Sequence, residues 1–208
     1  THSVGLFFKR FISEIDKNSF HTIGFSNLEI DNHDKVTKVI KNNFNEWHNV
    51  INFTDEKLIN VIRSSNVDIL IDLSGYSYGN RINIFAARCA SIQIAWLGYN
   101  NSTGLNNMDF IIADPHLVKD REDKLYSEKI LYLPKIWNAM EKPNNLPELE
   151  KQSGLYEDTF NFGSFNNFKK ISNETIQIWS NILNNSNSRL LLKNSIGYNE
   201  EVVNNIKN

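Results

Sequence analysis

Only one cysteine, Cys89, occurs in 208 residues. A lone thiol forms neither an internal disulfide nor a zinc cluster, so nothing here asks for an oxidising compartment. Within Phe85-Ala86-Ala87-Arg88-Cys89-Ala90 it reads as a buried small apolar residue rather than a nucleophile. No histidine is near it in sequence and no elbow motif surrounds it. An excess of either charge is also missing: 22 Lys and Arg against 24 Asp and Glu leave a formal charge of −2. That balance excludes a strong general pull toward nucleic acid or an anionic membrane, while leaving small basic sites open. No apolar run approaches the roughly 20 residues a membrane helix needs. The opening Thr1-His2-Ser3 shows no basic region followed by an apolar stretch, so no signal peptide is visible. The expected location is the cytoplasm.

Several chemical signatures are absent as well. There is no GxGxxG fingerprint and no P-loop, which leaves dinucleotide oxidoreductases and ordinary NTPases unsupported. His2, His21, His33, His48 and His116 are scattered without metal-ligand spacing. No Asp-x-Asp pair is present. A metal bridging a sugar-nucleotide diphosphate usually needs such carboxylates. If the substrate is of that kind, the expectation is leaving-group stabilisation by amides and cationic side chains, with no metal or other cofactor.

What is present is ordinary for a globular chain: 40% hydrophobic and 22% charged residues. The length suits one full domain and part of another. Short apolar strands alternate with helical stretches, which predicts an α/β architecture. Helices are expected over 4–12, 35–42, 55–64 (capped by Thr54), 81–88 and 173–183, the last capped by Ser172 or by Asn173-Glu174. Strands are expected over 20–25, 50–53, 68–73, 92–97, 108–113, 129–133, 159–164 and 189–192. The run Asp68-Ile69-Leu70-Ile71-Asp72-Leu73 has the branched aliphatics of a strand buried on both faces. Residues 135–158 lose periodicity and gain Pro143 and Pro147, as at a domain crossing. The predicted organisation is a domain over 1–140, a linker over 141–157 and the beginning of a second domain over 158–208. A helical pattern at each end gives both termini the look of cuts.

Ligands in such sheets sit beyond the carboxyl ends of the strands. Three loops lie there: 75–79, 98–104 and 165–170. Their glycines let backbone amides approach a ligand, and a following helix N-terminus favours phosphate. For any one loop alone, an ordinary strand-to-helix turn is the simpler reading. Lys170 lies between a strand and a helix, where an ammonium could reach a diphosphate leaving group; a solvated lysine beside Lys169 is the competing reading. His2 could act as a base near neutrality or cap a helix at the surface.

Several stretches, in order along nearly the whole chain, resemble the O-linked N-acetylglucosamine transferase family, glycosyltransferase family 41, in its bacterial SPINDLY-like branch. They are His2-Ser3-Val4-Gly5, residues 68–81, Ile92-Gln93-Ile94-Ala95-Trp96-Leu97-Gly98-Tyr99, Ser102-Thr103-Gly104 with Met108-Asp109, Tyr126-Ser127-Glu128-Lys129 with Leu131-Tyr132-Leu133-Pro134, and Phe162-Gly163-Ser164-Phe165-Asn166-Asn167 with Lys170-Ile171. The resemblance implies a GT-B fold of two Rossmann-like domains. It implies inverting, metal-independent transfer of a sugar, N-acetylglucosamine in the first instance, from a UDP-sugar to Ser or Thr of an acceptor protein.

By that resemblance Lys170 holds the diphosphate and His2 lies in the active site. Gly98, Tyr99, Thr103 and Gly104 lie against the sugar and acceptor path, and Asn166 and Asn167 near the nucleotide. TPR repeats are implied upstream. The chain departs from the family at Asn100-Asn101, where Pro-Gly is usual, and at Gly75-Tyr76, where many relatives have Gly-His. It also stops before the segment in which the family binds uridine and ribose. Two other readings stay open: a non-catalytic sugar-nucleotide or protein-binding module, and a protein N-glucosyltransferase.

Overall fold

The structure is a computed structural model that describes residues 2–29, 33–119, 121–140, 146, 148 and 159–193, the side chain of residue 169 excepted. The chain divides into two compact units, Thr1–Pro143 and Asn144–Asn208. Apart from Leu146 and Glu148, the expected linker over 141–157 lies outside the described residues, as does the expected helical end over 200–208.

The first unit runs α1 (Ser3–Glu14), β1 (Ile23–Ser26), α2 (Lys35–Asn42), β2 (Glu46–Asn49), α3 (Asp55–Ser64), β3 (Ile69–Asp72), α4 (Asn83–Ala86), β4 (Ile92–Ala95), β5 (Phe110–Ala113) and β6 (Lys129–Tyr132). Side chains start the longer helices: Asp34 Oδ1 accepts from Thr37 N at 2.8 Å and Thr54 Oγ1 from Lys57 N at 3.2 Å. Every strand pair is parallel. β1 pairs with β2, and a four-stranded sheet has the order β3-β4-β5-β6. Parallel pairing requires crossovers: α2 supplies the one between β1 and β2 and α4 the one between β3 and β4, while α3 links the two sheets. The β4–β5 crossover contains no helix and is made of loop.

Two of the strand expectations change. The strand expected over 50–53 lies earlier, at β2, and Val50 and Ile51 form the turn after it. The sequence Glu-Trp-His-Asn hides this strand, because an edge strand needs no apolar run. β3 is also an edge of its sheet, so Ile69 is 44% exposed rather than buried.

The core joins α3 to the sheet through Val50, Leu58, Ile62, Leu70, Ile82, Phe85 and Ile111. Complete burial of Leu58, Ile62 or Ile111 contributes about 1.5–3 kcal/mol each. Within it Gln93 is 0% exposed and fully used. Its Oε1 accepts from Cys89 N at 3.0 Å, and its Nε2 donates to Phe85 O at 2.8 Å and to Asn107 O at 2.6 Å. Cys89 is buried, as expected.

Arg88 Nη1 donates to Asp109 Oδ2 at 2.6 Å, and Gln93 N donates to the same oxygen at 2.8 Å. The Arg88 guanidinium is the main reason the Asp109 carboxyl is held below its usual range. A carboxyl whose folded pKa is depressed stabilises the fold fully above its unfolded value of about 4 and loses that contribution as pH falls through the folded value. The melting temperature should therefore drop below about pH 4, and Asp109→Asn should make that drop shallower. An unchanged acid limb in the variant would remove Asp109 from the account.

The second unit contains β7 (Phe160–Ser164), α5 (Asn173–Asn184) and β8 (Ser188–Leu192), with β7 and β8 parallel and in register from Phe160↔Ser188 to Ser164↔Leu192.

Candidate active site

Strand ends carry the expected residues, and in the first unit two of these ends lock together. Asp72, the last residue of β3, is 7% exposed. Its Oδ1 accepts from Ser74 N at 3.1 Å and its Oδ2 from Gly75 N at 2.7 Å, which turns the chain. Burial pushes this carboxyl up, against the opposing pull of the two amides. Trp96 N donates to Asp72 O at 2.9 Å, bringing the end of β4 alongside. Leu97 then takes φ 75° and the chain turns. At Gly98 a Cβ would stand 2.1 Å from Leu73 O, so the two backbones touch here with no room for a side chain. Gly75 has φ 54°, and a Cβ there would stand 2.1 Å from Tyr99 Cβ.

The loop over 98–104 is held along its length. The Tyr76 hydroxyl donates to Thr103 O, and the Tyr76 and Tyr99 rings meet edge to face at 5.6 Å. Tyr126 Oη donates to Asn100 O at 3.1 Å. Of the four residues expected here, Gly98 is half-buried, while Tyr99 and Gly104 are exposed and remain open to a ligand. Thr103 is different. It is 4% exposed, its N–H and hydroxyl both donate to Glu128, and its carbonyl accepts from Tyr76. All of its polar groups are taken up inside the unit, so its part is to anchor the loop rather than to reach a substrate.

His2 is exposed and is the N-cap of α1, its Nδ1 accepting from Val4 N at 3.3 Å. The body of α1 rests on the end of β4. Phe8 and Phe11 meet the Trp96 ring at 6.2 and 5.0 Å between centroids, and Ile12 and Leu97 complete the cluster. Trp96 Nε1 donates to Trp137 O at 2.8 Å, and Trp137 N donates to Asp114 Oδ2 at 2.7 Å. The helix that carries His2 and the strand that launches the loop thus share one apolar cluster.

In the second unit, β7 leads through exposed Asn166 and Asn167 into a 3-10 turn, Phe168–Lys170. Lys170 N donates to Asn167 O at 2.9 Å, closing the turn. Ser172 Oγ then accepts from Thr175 N at 3.3 Å and starts α5. The exposed Lys170 ammonium therefore stands two residues before a helix N-terminus. An anion bound there would meet a formal charge and the positive end of the helix dipole.

Sequence reasoning passes over Glu128, Tyr76 and Tyr126 as site residues. They stand in the quoted stretches, but their partners are 25 to 27 residues away, and no local pattern signals such bonds. Among the described residues no group of His, Cys, Asp and Glu could hold a metal ion, and no helix is long and apolar enough to cross a membrane.

The model of the family described as Glycosyl transferase family 41 matches residues 12–153. The probable UDP-N-acetylglucosamine–peptide N-acetylglucosaminyltransferase SPINDLY of Eustoma exaltatum subsp. russellianum is 33% identical over 148 residues, covering 71% of this chain and 16% of that protein. Its namesake in Oryza sativa subsp. japonica is 28% identical over 200 residues, 93% of this chain and 21% of that protein. The corresponding protein SEC of Arabidopsis thaliana is 31% identical over 139 residues, 62% and 14% of the two chains. The chain thus spans 14% to 21% of these relatives' lengths. Among solved structures, a mutant Thermobaculum terrenum O-GlcNAc transferase superposes with a TM-score of 0.85 at 30% identity, covering 93% of this chain and 36% of that one. That likeness identifies the α/β fold as the GT-B type. The match over residues 12–153 establishes the family: the chain belongs to glycosyl transferase family 41.

Proposed function

We propose that the full-length protein transfers N-acetylglucosamine from UDP-N-acetylglucosamine to Ser or Thr hydroxyls of an acceptor protein, inverting at the anomeric carbon and without a metal. Family membership over residues 12–153 is the observation that carries this reading. Relatives named as UDP-N-acetylglucosamine–peptide N-acetylglucosaminyltransferases support the choice of donor and acceptor. The cytoplasm is the proposed compartment, in keeping with a single buried thiol.

In this reaction the acceptor oxygen attacks the anomeric carbon and its proton passes to solvent, while the bond to the diphosphate breaks and UDP departs with the electron pair. Lys170 and the start of α5 offset the charge that grows on the diphosphate. Asn166 and Asn167 flank the nucleotide, and Gly98, Tyr99 and Gly104 border the sugar. His2 has a narrower part than a free histidine. While Nδ1 accepts from Val4 N, the neutral ring carries its proton on Nε2. In that state its Nε2–H can donate a hydrogen bond to a ligand.

The direct test is transfer by the full-length gene product, read as a mass increment of one N-acetylhexosamine on an acceptor peptide. Absence of the increment with this donor, alongside transfer from UDP-glucose to Asn, would replace the reading. His2→Asn separates cap from chemistry, because Asn caps helices well. The variant should keep its stability to within about 0.5 kcal/mol and lose at least about 10-fold in kcat. Full turnover in His2→Asn would reduce His2 to a helix cap.

A further inference from the structure

The residue that organises the loop over 98–104 lies outside it. Glu128 directly precedes β6 and is 4% exposed. Thr103 N donates to its Oε1 at 2.7 Å, the Thr103 hydroxyl donates to the same oxygen, and Ser102 Oγ donates to Oε2 at 2.9 Å. Ser102 Oγ is itself fixed: it lies 2.9 Å from Ser127 Oγ and accepts from Ser127 N at 3.1 Å and from Gly104 N at 3.2 Å. Burial pushes the Glu128 carboxyl up, but the bonds from Thr103 and Ser102 outweigh it and the net displacement is downward.

A buried carboxylate ordinarily requires a cation or several donors. Glu128 draws its donors from two consecutive residues of one loop. If the loop left, the charge would be stranded without them, so carboxylate and loop hold each other in place. The loop has need of this. Asn100 and Asn101, at its tip, impose no fixed φ of the kind proline imposes. The Tyr76 and Tyr126 hydroxyls secure the carbonyls of Thr103 and Asn100, and Glu128 alone takes both the amide and the hydroxyl of Thr103.

We infer that Glu128 is a positioning residue for sugar transfer, holding residues 98–104 in the conformation that turns substrate over. This rests on the transferase reading above. Glu128 touches no substrate, since its oxygens face Ser102 and Thr103 in a buried setting. A mere staple of the fold would lower the melting temperature and leave turnover intact well below it. A positioning residue lowers kcat in the folded enzyme.

The experiment uses the full-length protein, with kcat and KM measured for UDP-N-acetylglucosamine well below each variant's melting temperature. Glu128→Ala should lower kcat by about 10- to 100-fold and change donor KM by no more than about threefold. Glu128→Gln should return kcat to within about fivefold of wild type, because its amide oxygen still accepts from the N–H and the hydroxyl of Thr103. Wild-type kcat in Glu128→Ala overturns the inference, and so does a Gln variant as slow as the Ala variant. Should Glu128→Ala not fold, Thr103→Val removes the hydroxyl's two bonds, to Glu128 and from Leu105 N, and spares the amide bond to Glu128. It should lower kcat by about 3- to 10-fold with faster amide exchange over residues 99–104, and an unchanged kcat counts as refutation.

Hydrogen exchange keeps the two readings apart. In the 208-residue chain, amides of residues 99–104 should exchange at least about 10-fold faster in Glu128→Ala, with β4 and β5 unaffected. If full-length wild type transfers nothing, the transferase reading falls by itself. Unchanged exchange shows that Glu128 does not hold the loop.

Discussion

In the full-length protein, Lys170→Ala is expected to lower kcat by about 10²- to 10³-fold, the loss that follows removal of one preorganised group facing transition-state charge. Acceptor KM should move by no more than about threefold. The asymmetry follows from when the charge appears. Negative charge on the diphosphate grows as the bond to the sugar breaks, so an ammonium there gains most in the transition state. The substitution should leave the local fold alone. Lys170 is exposed, and the bond closing its 3-10 turn uses its backbone N–H, which alanine keeps. Ser172 starts α5 independently of the lysine side chain. A variant that releases UDP during turnover as fast as wild type would remove Lys170 from leaving-group stabilisation, whatever its effect on binding.

Gly98→Ala should place a methyl directly against backbone in the first unit. Its Cβ would lie 2.1 Å from Leu73 O and 2.9 Å from Leu73 C. Backbone has no rotamer with which to retreat, so one strand end must shift by on the order of 1 Å. The stability cost is about 1–3 kcal/mol, and displacement of the loop should lower kcat/KM by about 10²-fold. Gly104→Ala is the matched control. Its φ of 67° disfavours a side chain, yet no atom lies within 4 Å of a Cβ there. It should cost only about 1 kcal/mol through the backbone. Melting temperature and kcat/KM on both variants decide the matter. If Gly98→Ala costs no more than Gly104→Ala, the chain relaxes around the methyl and crowding against Leu73 does not account for Gly98.

The alternation of helix and strand was legible because each element carries its own period and its own stop. α2 occupies the expected residues, α3 begins at the expected Thr54 cap, and Asp114 ends β5 where Asp-Pro follows the apolar run. β2 escaped notice because its four residues, Glu-Trp-His-Asn, take their stability from pairing with β1, not from their own apolarity. The glycine-rich turns were legible as places where backbones approach. Which atom stands opposite each glycine was not, since Leu73 and Tyr99 are brought there by the sheet. Thr103 shows the same limit. Its place beside Ser102 and Gly104 suggests a ligand contact, whereas its partners come from residues 76 and 128. Lys170 could be singled out from the strand, turn and helix around it, all of which are local.

Gly75 and Tyr99 occupy a single volume between them, since a methyl on the first would fall on the second residue's own Cβ. The two positions cannot drift independently. A lineage that acquires a side chain at 75 must also redirect the chain at 99, and the turn after β3 and the turn after β4 are inherited as one unit.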